Sequence, residues 1–315
     1  KSAEFARASA GPKLAIAERG IFRSLFRSLP HLPMKLSRND AGLLARFGWI
    51  LIVFLGLPAA HAADRFRVGW TNNLLTLHHP QLPGGPVSVY YLEAFLRSGA
   101  NQRDWGKSVL PHKTRLIAAD PRGRWLRFRT EVQPEVEVLH EVRAGRDAVD
   151  IRFSLHNRGA KPVDLQWFQP ACIRVASFTG RDQKSFIDRS FIYTSSGRTW
   201  LRDCDRTTPA LYPGGQVFPL PGVADAEANP RPIAGKRPVN GLIGCVSSDD
   251  RWILATASDQ THELFEGVYV CLHSDPHIGG LRAGERRRIR SKIYLLPNDP
   301  HRLLARYRRD FPAGR

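Results

Sequence analysis

The run His273-Ser274-Asp275-Pro276-His277 sets two imidazoles and a carboxylate close together at the end of an apolar strand pattern. Such a group can ligate a divalent cation or pair as acid and base. The plainer reading is a turn in which Asp275 accepts from neighbouring backbone amides in an Asx-type bond. A second cluster, Arg103, Asp104 and Trp105 with His112 and Lys113, combines an aromatic face with hydrogen-bonding side chains. An indole stacks on a sugar ring while the polar groups meet its hydroxyls, so this composition suits a glycan. The alternative is Trp105 folded onto the core as a lid. Trp167 and Gln169 form a third candidate, a sugar platform on a sheet face, although Trp167 shares the apolar phase of Val163 and Leu165 and is expected in the core. Arg286, Arg288, Arg290 and Lys292 make a basic stripe: a solvated strand face, or a site for anionic polysaccharide. There is no G-x-S-x-G elbow, H-E-x-x-H pair, P-loop or G-x-G-x-x-G turn. No cofactor and no resident metal are expected.

These residues sit in a chain of 315 residues, 42% hydrophobic and 24% charged, long enough for a large core. Met34 is the sole methionine. After it come Lys35, Arg38 and Arg46, an uncharged apolar run from Phe47 to Leu57, and Ala60-His61-Ala62, the layout of a secretory signal peptide with its cleavage site. Residues 1–33 are then an upstream extension, 34–62 the signal, and 63–315 one exported domain, secreted or periplasmic. The alternative is an uncleaved membrane anchor. From residue 63 onward 38 basic and 26 acidic residues remain, a formal +12. No zinc finger, helix-turn-helix or aromatic-interleaved RNA motif accompanies that charge, so a glycan or anionic polysaccharide is the expected partner and nucleic acid is not. Cys172, Cys204, Cys245 and Cys271 allow three disulfide pairings, or stay free as small buried hydrophobes. None lies at C-x-x-C spacing, which argues against a zinc or dithiol site.

The positioning elements are strands. Val149, Ile151, Phe153 and Leu155 alternate with polar residues, a turn follows at Asn157-Arg158-Gly159-Ala160, and Val163, Leu165 and Trp167 alternate again. Further strands are expected over 65–70, 87–96, 241–247, 251–257, 267–273 and 287–295. One long strand is expected over 125–143, with Leu126, Phe128, Val132, Val136, Val138 and Val142 on its apolar face, folding back through Ala144-Gly145-Arg146. The Pro/Gly-rich stretch 205–238 reads as an ordered loop over a sheet. Asn298-Asp299-Pro300 caps a closing helix whose apolar face is Leu303, Leu304, Tyr307 and Phe311. The whole is an all-β, antiparallel β-sandwich with a short C-terminal helix.

Several runs carry a resemblance. YYLEAFLRSG (90–99), QPACIRVASFTG (169–180), NPRP (229–232), NGLIGC (240–245), ELFEGVYVCLHSDPHIGGL (263–281), RIRSKIYLLPND (288–299) and LLARYRRDFP (303–312) resemble uncharacterised secreted bacterial proteins of the planctomycete type. That resemblance implies export and assigns no activity. The element Leu155, Asn157, Gly159, Pro162, Val163 and the late turn Leu281, Gly284, Glu285 look like the galactose-mutarotase supersandwich, a fold of sugar epimerases, lyase and hydrolase domains and sugar-binding modules. Its epimerases carry a catalytic histidine where Phe168-Gln169-Pro170-Ala171 stands here, and glutamine cannot donate a proton as a general acid. The resemblance therefore implies carbohydrate recognition, without catalysis by that route. The alternatives are a polysaccharide lyase or hydrolase using His112, His273 and Glu263, and a structural envelope protein.

Overall fold

Alternation with a period of two sorts the chain into two antiparallel sheets in the computed structural model, which describes residues 65–206 and 210–312. The expected extension and signal segment lie outside the described residues. The strands are β1 Arg67–Thr71, β2 Leu74–His78, β3 Val87–Leu96, β4 His112–Ala119, β5 Trp125–Val132, β6 Val136–Ala144, β7 Ala148–Asn157 and β8 Trp167–Arg174. They continue with β9 Ser190–Thr194, β10 Gly197–Trp200, β11 Gln216–Pro219, β12 Leu242–Val246, β13 Trp252–Ser258, β14 Thr261–Gly267, β15 Cys271–Pro276 and β16 Arg286–Pro297. One sheet has the order β1-β2-β3-β8-β15-β14-β11 and the other β10-β9-β12-β13-β16-β7-β6-β5-β4. Their inner faces meet through aromatic rings: Tyr91 of the first lies 5.3 Å from Phe128 of the second, and Phe168 of the first stands edge-on to Phe153 at 5.1 Å. Among the described residues no helix is long and apolar enough to cross a membrane.

The outer faces are covered too. The C-terminal helix, Pro300–Asp310, begins as expected: Asp299 accepts from the amides of His301 and Arg302, and proline fills the first turn. Leu303, Leu304, Tyr307 and Phe311 pack it on Tyr294, Ala255 and Leu242 of the nine-stranded sheet. The segment 210–238 lies over the seven-stranded sheet; β11 joins that sheet's edge, and Ala228 and Ile233 pack on Val217 and Phe265.

Three expectations need correction. The strand over 125–143 is a hairpin, β5 and β6, because Pro134 lacks an amide to pair and the chain turns there. The strand expected over 267–273 is interrupted: residues 268–270 form the β14–β15 turn, with Val270 at φ +54°, while Gly267 ends β14 and Cys271 to His273 begin β15. Residues 163–166 belong to no strand; Val163 makes only an isolated bridge to Leu281. All four cysteines are free and buried.

A histidine sits in the sandwich core. His140 stacks on Phe128 at 5.0 Å, with Nδ1 2.8 Å from the Tyr91 hydroxyl and Nε2 2.9 Å from that of Thr130. Burial pushes its imidazolium pKa down to about 3 from 6.5. Between those values the unfolded chain binds a proton that the folded chain refuses, so stability rises with pH across the window and is lost on acidification. Urea unfolding of His140→Phe at stepped pH should show a shallower acid decline than wild type; an unchanged slope refutes the assignment. Asp299→Ala should cost about 1 kcal/mol in the same assay.

Candidate functional site

Polar side chains gather on the outer face of the seven-stranded sheet, beneath 210–238. In β14 and β15, Leu264 and Leu272 point into the sandwich core, so by alternation Glu263 and Cys271, His273 and Asp275 point the other way. From β8 come Trp167, Gln169 and Cys172. A break in the β3–β8 register between Tyr91 and Ala94 brings in Glu93. There Leu92 adopts φ +53°, a costly backbone for leucine, and such bulges re-aim side chains next to functional sites.

Asp275 stands at the centre. Gln169 donates to its Oδ2 at 3.1 Å, and its Oδ1 lies 3.7 Å from His273 Nδ1. Glu263 is its direct cross-strand partner, and Glu263 Oε2 accepts from the Asn229 amide at 3.0 Å. Burial, reinforced by the nearby charge of Asp275, raises the Glu263 carboxyl well above the usual range; burial raises Asp275 as well. His273 Nε2 faces Cys271 Sγ at 3.4 Å and Glu93 Oε2 at 4.0 Å. All of these are buried except Glu93, whose side chain is 30% exposed. Glu93 Oε2, Glu263 Oε1, Asp275 Oδ1 and His273 Nδ1 make no hydrogen bond.

Beside this group the rings of Trp167, His262 and His277 stack in file, with centroids 5.1 and 5.6 Å apart and planes within 9°. The Glu227 carbonyl accepts from Trp167 Nε1 and lies 3.1 Å from His262 Nε2, which ties the covering segment to the sheet. Burial lowers His262 to about 4. Arg231 reaches over the mouth. It donates to the Pro213 carbonyl at 2.7 Å and lies within electrostatic range of Glu93, Tyr269, Tyr212 and Cys271.

Of the residues singled out in the sequence, the structure brings together Trp167, Gln169, His273, Asp275 and His277. Trp167 is fully buried, as its phase implied, but in an outer-face cluster with Ala94, Leu96 and Ala100. Trp105 packs half-buried on that cluster, the lid alternative, and its amide donates to the Tyr212 hydroxyl. Arg103 and Asp104 are exposed. His112 and Lys113 do not join the group: the His112 ring packs edge-on to Phe95 and its Nε2 meets the Leu92 carbonyl. Both line a separate cleft of about 530 Å³ with Arg129, Glu131 and Pro134. They start β4 in the other sheet. The basic stripe is only partly free: Lys292 pairs with Asp150 and Asp310, and Arg290 donates to the Asp310 carbonyl. Sequence reasoning missed Glu93, Cys172, Cys271, His262, Asn229 and Arg231. A signal existed for Glu93, a carboxylate breaking the otherwise apolar run from Tyr90 to Leu96.

No protein-family model matches the sequence, and no curated protein is similar to it. Among solved structures, the chain is similar to the Slr1438 protein of Synechocystis sp. PCC 6803, with TM-score 0.43, 10% identity, and 73% of this chain and 95% of that one covered. It is similar to a galactose mutarotase-like protein from Lactobacillus casei, with TM-score 0.42, 11% identity and coverage of 74% and 98%. A polysaccharide lyase also aligns, at TM-score 0.34 and 11% identity, over 76% of this chain and 34% of the lyase.

Glu263 tests the internal geometry. Glu263→Ala opens a cavity and strands the Asn229 amide, so it should cost about 2–4 kcal/mol in urea unfolding. Glu263→Gln keeps shape and hydrogen bond in place of a protonated carboxyl and should cost under about 1 kcal/mol. Equal losses would contradict a protonated Glu263.

Proposed function

We propose that this is an exported carbohydrate-recognising protein, and that the sugar meets the mouth of the outer-face cluster at Glu93. The observation that carries the reading is the Glu93 carboxylate: its side chain is partly exposed, its Oε2 makes no hydrogen bond, and its charge acts on Arg231, whose guanidinium lies over the Tyr212 ring at 5.8 Å. A carboxylate and a guanidinium hydrogen-bond vicinal hydroxyls, while tyrosine faces take the apolar side of a pyranose. Tyr269 is 64% exposed and carries Arg174 over its ring at 5.3 Å, which extends that surface outward.

Kinship with the mutarotase supersandwich is part of the same reading. Its support is that the two elements carrying the resemblance touch: the Asn157 amide donates to the Glu285 carbonyl at 3.0 Å, and its side chain donates to the carbonyls of Lys161, Leu281 and Arg282. Export rests on the leader-like pattern before residue 63, and N-terminal sequencing of secreted protein tests it.

A glycan array on the purified protein should yield hits that Glu93→Gln weakens about tenfold or more, the loss expected when a charged hydrogen-bonding group is removed. Melting temperature should move little, because Glu93 Oε2 has no hydrogen bond to lose. An array without hits, or hits indifferent to Glu93, refutes the site. New reducing ends from a bound glycan would reassign the protein as an enzyme.

A further inference from the structure

Cys172, Cys271 and His273 converge although 99 residues of sequence separate the two thiols. Cys172 faces His273 across the β8–β15 ladder, since Leu272 pairs with Ile173, and Cys271 lies two residues from His273 on the same side. The two sulfurs and a ring nitrogen all lie within 4.8 Å of one another, with Cys271 Sγ 3.4 Å from His273 Nε2. Tetrahedral zinc, with bonds of about 2.3 Å to sulfur and 2.0 Å to nitrogen, sets such ligand atoms about 3.5–3.8 Å apart. We propose that these three side chains bind a borderline-soft divalent cation, zinc by preference, and leave its fourth position toward Glu93.

Three observations outside the triad support this. Gly267 keeps the space open: a Cβ there would come within 2.5 Å of Cys271 Sγ and 3.6 Å of His273 Nε2. Asp275 Oδ1 stands 3.7 Å from His273 Nδ1, both atoms buried and unpartnered, the position of the carboxylate that orients a metal-bound imidazole. Glu93 Oε2, also buried and unpartnered, lies 4.0 Å from His273 Nε2, where it can accept a proton from a water or hydroxyl at the open position. A disulfide fits less well. The cysteines are diagonal across the ladder, a separation of about 7–8 Å, against about 4.4–6.8 Å for a bridged pair. Loading releases the thiol protons to solvent as two thiolates form. The site does not depend on the glycan reading, since uptake is measured with no sugar present.

The test is cobalt(II) titration of the chelator-stripped, reduced protein over the full chain, with zinc measured by elemental analysis. Wild type should take up one cation per chain and develop a thiolate-to-cobalt charge-transfer band with the d–d absorption of a tetrahedral site, both bleached by zinc. Cys172→Ala/Cys271→Ala should lose both. Asp275→Asn should keep the band and weaken affinity about 10–100-fold. Wild type that develops no band while both thiols react freely overturns the proposal without recourse to a variant that must fold. A Cys172–Cys271 disulfide in protein whose thiols were blocked at lysis overturns it as well.

Discussion

A sheet buried on both faces must find partners for every polar group it carries outward, and the seven-stranded sheet carries several that an ordinary core would exclude. Gln169, Glu263, Asp275, His273 and His262 are each at most 2% exposed. Leaving such groups dry and unpaired costs on the order of 1–3 kcal/mol apiece. The segment 210–238 answers part of that cost with its backbone: the Asn229 amide reaches Glu263, and the Glu227 carbonyl takes the Trp167 indole. The Glu227 carboxylate in turn accepts from the Gly99 amide at 2.7 Å, and Asn101 donates to the Asn229 carbonyl. This explains a Pro- and Gly-rich stretch that orders with little regular structure beyond β11. Its task is to present main-chain donors and acceptors at set places, and a helix or strand would have spent them internally.

The partnering is incomplete, and several of the gaps fall together. Four of the unpartnered buried atoms belong to Glu93, Glu263, His273 and Asp275, around one spot. Native interiors leave few such atoms. Their concentration beside a bulge with a left-handed leucine, and beside two thiols, is the pattern of a site whose last partner comes from outside the chain. The other sheet treats its buried imidazole differently. There the one buried imidazole, His140, has hydroxyls at both nitrogens, and the basic outer face is largely occupied by Asp150, Asp310 and the C-terminal helix.

Fold was more legible in the sequence than site, for a physical reason. Alternation reports which face of a strand is greasy, and in Leu126 to Val142 or Ile289 to Leu295 that signal is clean because the opposite face is polar. It does not report where a strand reverses when the phase continues through the turn, so the β5–β6 hairpin read as one strand. In the seven-stranded sheet both faces are covered, alternation fades, and the turn after β14 merged with the start of β15. The same covering hid the site. Cys271 looked like a core cysteine because it sits in an apolar run, and the C-x-x-C criterion tests neighbours along the chain where a ladder supplies neighbours across it. By contrast His273, Asp275 and Gln169 stood out as polar breaks in apolar strands, and those are the ones the structure assembled.

The bulge at Leu92 decides what the assembly can do. With continuous alternation from Tyr91, position 93 would project into the core beside Phe95, where a carboxylate could not stay charged. The added residue turns Glu93 outward, and the left-handed backbone at Leu92 keeps that leucine buried at 3% exposure while doing so. One strained residue thus links interior to mouth: Asp275, His273 and Glu93 form a line from the centre of the sheet face to solvent, with steps of 3.7 and 4.0 Å. A purely structural buried network gains nothing from reaching the surface, because its groups are better satisfied inside. The backbone strain at Leu92 is accounted for once the end of that line is where a ligand arrives.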